Sequence, residues 1–212
     1  MKNYYSINIE NLVSQSLLIW NKVKNDKDKT NEYVKRSYAA SNTFWQIKVN
    51  PTMPECQELR NKFLKITPEK CSIDFYLGNA KNYKSSPHID RGRRIGLNIP
   101  IQVDLELSST YFGRYTDLSK YEHTRTQRNF ASDATDREGN PIKTLNPHFM
   151  GTWDPDLYDI VRLESPVVFN SGMPHGGFNT GLDTRIIMSL SWVDTMFSDF
   201  VSKSKELEYI VE

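Results

Sequence analysis

His88, Ile89 and Asp90 stand together, His175 follows far downstream, and Arg185 lies ten residues beyond it. Two imidazoles and one carboxylate are the ligand set of the 2-His-1-carboxylate facial triad. That set grips iron(II) on one face and leaves the opposite positions open to reactants. In an extended chain residues i and i+2 project to the same side, so one spacer, Ile89, can aim the His88 imidazole and the Asp90 carboxylate at a single ion. His175 must arrive from another strand or turn. Gly172, Gly176 and Gly177 around it would let the backbone bend tightly enough to present it. A lone His-x-Asp more often marks a capped turn than a metal, and its weight here comes from the residues downstream. His123 and His148 lack a carboxylate two residues away and read as surface or loop histidines.

Arg185 opens a segment in which Ile187, Ser189 and Ser191 share its face, while Ile186, Met188, Leu190 and Trp192 share the other. The second set is core packing. The first is unusual for a buried strand, because a guanidinium left unpaired in the interior is costly. Its natural match is a carboxylate held bidentately. That carboxylate belongs either to a protein Asp or Glu or to a small acidic ligand.

The elements that carry these residues are legible as patterns. Residues 9–24 place Ile9, Leu12, Val13, Trp20 and Val23 at helical spacing. Residues 25–31 read as a solvated loop, 42–49 as a strand, and 55–65 as a second helix after Pro51 and Pro54. From residue 71 the period becomes two: Cys71, Ile73, Phe75 and Leu77 alternate with Ser72, Asp74 and Tyr76. A long alternation runs from Ile95 to Leu107, and Pro100 within it predicts an edge strand or a bulge. Residues 108–160 are polar, aromatic and rich in breakers, long enough for a lid or binding surface, with 132–140 an exposed loop. Strands follow at 166–170 and 184–193, and the turn between them carries His175. Helices first and then many short strands predict a mainly β (α+β) fold, a barrel or sandwich. The mouth of such a barrel is a common place for a small-molecule site.

A length of 212 residues favours one domain. With 38% hydrophobic and 25% charged residues the chain is globular rather than disordered. Lys+Arg number 27 against 26 Asp+Glu, so no global basic field supports nucleic acid as a partner. The two cysteines, Cys56 and Cys71, cannot build a disulfide framework or a zinc cluster, and a reducing cytoplasm is the expected location. The first residues lack the apolar run of a signal peptide, and no apolar stretch is long enough to predict a membrane span.

The order His-x-Asp, a long interval, His, then Arg one strand later resembles that of the Fe(II)/2-oxoglutarate-dependent dioxygenases. It is carried by Pro87-His88-Ile89-Asp90, by Met173-Pro174-His175-Gly176-Gly177-Phe178-Asn179, and by Arg185-Ile186-Ile187-Met188-Ser189, within residues 71–193. Tyr76-Leu77-Gly78 is similar to the strand before the first ligand in prolyl-hydroxylase-like members. His175, Asn179 and Arg185 resemble the second motif of aspartyl/asparaginyl β-hydroxylase-like members, a branch that often lacks the equivalent of Asp90. The resemblance implies a double-stranded β-helix, a jelly-roll or cupin-like barrel, with N-terminal helices packed on one sheet. It implies one oxygenase domain over 1–212, with helical support in 1–70, the β-helix in 71–193 and a substrate-side insertion in 108–160. His88, Asp90 and His175 would hold Fe(II). The co-substrate 2-oxoglutarate would meet Arg185 and, with it, Ser189, Asn98 and Tyr76, and O2 would complete the reaction. The implied activity is hydroxylation of a C–H bond in an amino acid, peptide or other small polar substrate, releasing succinate and CO2. Arg91, Arg93 and Arg94 are the expected contacts for a substrate anion. A cupin-like metal-binding protein, or a metalloenzyme that does not use 2-oxoglutarate, is the other reading, and it would not need Arg185 in the pocket.

Overall fold

The computed structural model describes residues 2–24, 34–38, 44–79, 81, 83–126, 145–147 and 149–211. The loops expected at 25–31 and 132–140, together with His148, lie outside the described residues. In chain order the elements are β1 (Tyr4–Ile7), α1 (Leu12–Val23), β2 (Val34–Tyr38), β3 (Phe44–Val49), α2 (Pro54–Asn61) and β4 (Ser72–Gly78). Next come β5 (Tyr83–Lys84), β6 (Ile95–Gln102), β7 (Ser108–Gly113), a 3-10 turn (Leu118–Thr124), β8 (Tyr158–Val161) and β9 (Val167–Asn170). The chain closes with β10 (His175–Asn179), β11 (Arg185–Trp192), α3 (Phe197–Glu206) and β12 (Ile210–Val211). No helix among the described residues is long and apolar enough to cross a membrane.

The strands form two antiparallel sheets. The larger has the order β12-β1-β9-β6-β11-β4-β3-β2, the smaller β5-β10-β7-β8. The alternation in β11 divides the molecule into layers. Ile186, Met188, Leu190 and Trp192 join Ile73, Phe75, Ile95, Leu97 and Ile99 in the main core, which the three helices cover. The covering side chains include Leu12 and Ile19 of α1, Cys56 and Leu59 of α2, and Phe200 and Val201 of α3. The opposite face of the large sheet looks toward the small sheet, and Phe112, Val167, Phe169 and Ile187 pack there. Strands buried on both faces account for the apolar density of β11, whose eight residues are all buried.

The structure departs from the sequence patterns at several points. Helix α1 buries Leu12, Gln15, Ser16, Ile19 and Val23, so Val13 faces outward and Ile9 precedes the helix. Pro100 lies in β6, which sits between β9 and β11 rather than at an edge. The register shifts between Ile186 and Ile187 opposite Gln102 and Pro100, so the bulge is what accommodates the proline. The alternation ends at Gln102, and Leu105 and Leu107 are exposed in the turn beyond. The ends of the 108–160 segment are strands of the small sheet, β7 and β8. Strands β1 and β12 and helix α3 were not read from the sequence at all.

His175 opens a strand, although the glycines beside it suggested a turn. The reason is close approach. A Cβ on Gly176 would lie 2.2 Å from the Tyr111 hydroxyl, and one on Gly177 would lie 3.0 Å from the Ser109 carbonyl and 3.2 Å from Arg185 Nη1. The glycines clear space for neighbours on either face of an extended chain.

Candidate metal centre

His88 lies just beyond β5 and forms an antiparallel bridge with His175. Their backbones exchange two hydrogen bonds, His88 N–H to His175 O at 3.0 Å and His175 N–H to His88 O at 2.9 Å. Asp90 is tied down by its N–H to Ser171 O at 3.0 Å. These backbone bonds join residues 87 and 81 positions apart in sequence, and the two imidazole rings lie 4.7 Å apart between centroids.

The side chains complete a ligand set. His88 Nδ1 lies 2.9 Å from Ser86 O, and His175 Nδ1 lies 2.9 Å from Met173 O. A carbonyl can only accept, so each Nδ1 carries the proton and each Nε2 presents its lone pair. His175 Nε2 is 3.0 Å from Asp90 Oδ2, and His88 Nε2 is 3.8 Å from Asp90 Oδ1. All three ligand atoms lie within 4.8 Å of one another, the one such group among the described residues. Bonds of about 2.1 Å, the length these ligands make to zinc, put neighbouring ligands about 3 Å apart, so little contraction would seat an ion. Desolvation, and next the neighbouring His175, push the His88 pKa down and favour the neutral ring a metal needs. Burial would raise the Asp90 carboxyl, but Arg93, His175 and His88 overcome it and hold it well below the ordinary carboxylate range.

Arg93 is the residue that sequence reasoning placed in the wrong role. Its Nε and Nη2 each reach Asp90 Oδ2 at 2.6 Å. Its Nη1 donates to Ser189 Oγ at 2.9 Å and Ser191 Oγ at 2.7 Å, and its guanidinium lies 5.4 Å from the centre of the Phe169 ring. Phe169 also packs on His175 at 4.8 Å and occupies the space over Gly96, where a Cβ would meet the ring at 2.2 Å. Arg93 therefore braces the carboxylate and is not a free anion receptor. Arg94 lines a separate small cleft with Asn146 and Phe197.

A cavity of about 350 Å³ opens beside the triad. It brings together His88, Asp90, His175, Arg185, Tyr76 and Asn98, each singled out from the sequence. Ser189 shares the strand face of Arg185, yet its hydroxyl is engaged by Arg93 and it does not line the cavity. Tyr83, Thr110 and Phe169 line it as well and were not anticipated; nothing in their local sequence distinguishes them. Arg185 is 5% exposed. Its Nη2 donates to Thr110 Oγ1 and its Nε has no partner. Burial lowers its pKa, opposed only by Tyr83 nearby. Among the described residues no carboxylate pairs with it.

Other polar side chains serve the structure. Asn179 donates to Gly78 O, Asn79 O and Asp183 O and accepts from Gly181 N–H, so it holds the β10–β11 turn. Arg114 pairs with Asp159 at 2.9 Å, Arg125 lies 3.3 Å from Glu122, and His123 is an exposed neighbour of Asp154.

No protein-family model and no curated protein sequence matches the chain. Solved structures do match its architecture. A prolyl-4-hydroxylase from Pseudomonas putida superposes with a TM-score of 0.52 at 10% identity, covering 92% of this chain and 94% of that one. HygX from Streptomyces hygroscopicus, solved with nickel and 2-oxoglutarate bound, superposes with a TM-score of 0.51 at 7% identity, covering 92% and 85%. The chain shares the fold of these two structures. At these identities the likeness concerns the path of the backbone, and the chemistry has to be argued from the side chains.

Proposed function

We propose that this chain is an Fe(II)- and 2-oxoglutarate-dependent dioxygenase that hydroxylates a C–H bond of an amino acid, peptide or other small polar substrate. On this reading the two sheets form a double-stranded β-helix, residues 1–212 act as one domain, and residues 108–160 carry the substrate-side insertion. The observation that carries the proposal is Arg185: a buried guanidinium with no carboxylate partner among the described residues, in the cavity that also holds His88, Asp90 and His175. A protein retains an uncompensated interior cation where a ligand supplies the anion. A metalloenzyme without an acidic co-substrate has no use for it.

The residues fit the group. His88 and His175 offer neutral Nε2 atoms and Asp90 a carboxylate, a donor set suited to Fe(II) with exchangeable positions left over. When bound, iron with 2-oxoglutarate and O2 supplies the oxidation of a C–H bond, releasing succinate and CO2. The chain's own part is positioning. Ser86 O and Met173 O fix the ring tautomers, Arg93 fixes the Asp90 carboxylate, and Arg185, held by Thr110, would anchor the distal carboxylate of the co-substrate. Tyr76 and Asn98 line the space between. HygX, with nickel and 2-oxoglutarate bound on the same fold, supports the reading. Cys56 and Cys71, both buried free thiols, fit the reducing cytoplasm expected from the sequence.

The test is an anaerobic Fe(II) titration in the presence of 2-oxoglutarate. A weak visible charge-transfer band is expected, and Arg185→Ala should demand far more 2-oxoglutarate to produce it. Folded, iron-loaded protein without the band would refute the assignment.

A further inference from the structure

A second cavity, of about 760 Å³, lies against the outer face of the small sheet. Tyr111 of β7, Ile160 of β8 and Phe178 of β10 supply its floor. It abuts the metal centre. Tyr83, Lys84 and Ser85 border both cavities, Ser86 and Pro87 lead directly into His88, and Met150 bridges to His88. Its volume is within the range of small-molecule sites and exceeds what a single amino acid would fill.

The lining has a consistent chemistry. Trp153 is held edge-on to Tyr111 at 4.6 Å and stacked on Tyr158 at 5.2 Å, so its ring is set before any ligand arrives. Lys81 and Lys84 line the cavity, and among the described residues no acidic side chain does. Lys84 stands opposite Phe178 in the β5–β10 register, so the two side chains project from the same face of the small sheet. An ammonium at the junction of the two cavities attracts an anion, while Trp153, Phe178, Met150 and Ile160 accept a flat apolar body.

We propose that this cleft seats the substrate, and that the substrate is a small acid carrying a planar ring: the anionic group meets Lys84, and the ring lies against Trp153 and Phe178. The assignment of this ligand as the substrate rests on the oxygenase reading above; the binding site itself does not.

The test uses two fluorescent probes of similar shape, the anionic 8-anilinonaphthalene-1-sulfonate and the neutral N-phenyl-1-naphthylamine, titrated into the full chain. The anionic probe should bind at one site and quench tryptophan emission. Lys84→Glu replaces attraction with repulsion and should weaken the anionic probe about ten-fold or more while barely changing the neutral one. Trp153→Ala should weaken both. Unchanged affinity of the anionic probe in Lys84→Glu, an exposed position that does not threaten folding, would overturn the proposal. So would equal losses for both probes in that variant. The iron charge-transfer band is read on the same preparations. A band without a probe site defeats the cleft assignment and leaves the oxygenase reading intact; a probe site without a band does the reverse.

Discussion

Replacing Arg185 with methionine should stabilise the ligand-free protein and abolish most of the further stabilisation that 2-oxoglutarate gives. The guanidinium is 5% exposed, its Nε has no partner, and Thr110 gives it a single neutral acceptor. Exchanging poorly compensated buried charge for a well-packed apolar side chain stabilises by about 1–4 kcal/mol in comparable cases. Taking about 2 kcal/mol, and about 2–4 °C per kcal/mol for a chain of this size, Arg185→Met should melt roughly 4–8 °C higher than wild type without ligand. With iron under anaerobic conditions and 2-oxoglutarate at a hundred times its Kd, wild type should gain about 2.7 kcal/mol. Loss of a buried carboxylate–guanidinium contact costs about 2–5 kcal/mol of affinity. A hundred-fold loss within that range would leave the variant a gain of only about 0.4 kcal/mol at the same concentration. Thermal unfolding followed by circular dichroism, with and without 2-oxoglutarate, measures both arms. An Arg185→Met protein that melts well below wild type without ligand, yet is still raised by 2-oxoglutarate, would mean that the guanidinium is satisfied within the protein, and the argument for the co-substrate would fail.

Three further outcomes are expected. Arg93→Gln removes the brace from Asp90 and should weaken metal binding about 10–100-fold by calorimetric titration, with Arg93→Lys recovering part of it; unchanged affinity would make Arg93 a mere packing residue. Glu69 accepts bonds from the backbone N–H groups of Val193, Asp194 and Thr195 and from Thr195 Oγ1. Burial pushes its carboxyl up, but those bonds outweigh it and hold the pKa below the ordinary 4.5. Its contribution is therefore complete above that value and fades as pH falls through the lowered one. Glu69→Gln should destabilise by about 1 kcal/mol at neutral pH, a value lowered by solvent screening of the partly exposed carboxylate, with the difference from wild type shrinking in acid as read by urea unfolding. Gly176→Ala puts a methyl 2.2 Å from the Tyr111 hydroxyl, itself bonded to Ser85 O, and should cost about 1–3 kcal/mol in chemical unfolding; a neutral result would show that β10 and β7 can separate freely.

The metal centre was legible because its signal is short-range. His88 and Asp90 need only a two-residue repeat to share a side, and the polar face of Arg185, Ser189 and Ser191 stands out against the apolar alternation of β11. The same local logic failed where a neighbour from far along the chain decided the outcome. Gly176 and Gly177 look like a turn until Tyr111 and Arg185 are seen to need the space. Arg93 looks like one of three exposed basic residues until Ser189 and Ser191, almost a hundred positions away, take its guanidinium. At Pro100 the pattern allows an edge or a bulge, and only the pairing decides: the bulge opposite Ile186 and Ile187 forms, in a strand that lies between β9 and β11.

Residue type and spacing thus dictated the His/Asp donor set, the polar strand face that Arg185 shares with Ser189 and Ser191, and the mainly β character, since each follows from side-chain properties and the two-residue period of a strand. Which cation braces the carboxylate and which waits in the cavity, and that Tyr83, Thr110 and Phe169 line it, followed from strand order and register. Those are set by cross-strand hydrogen bonds between residues that no local pattern connects.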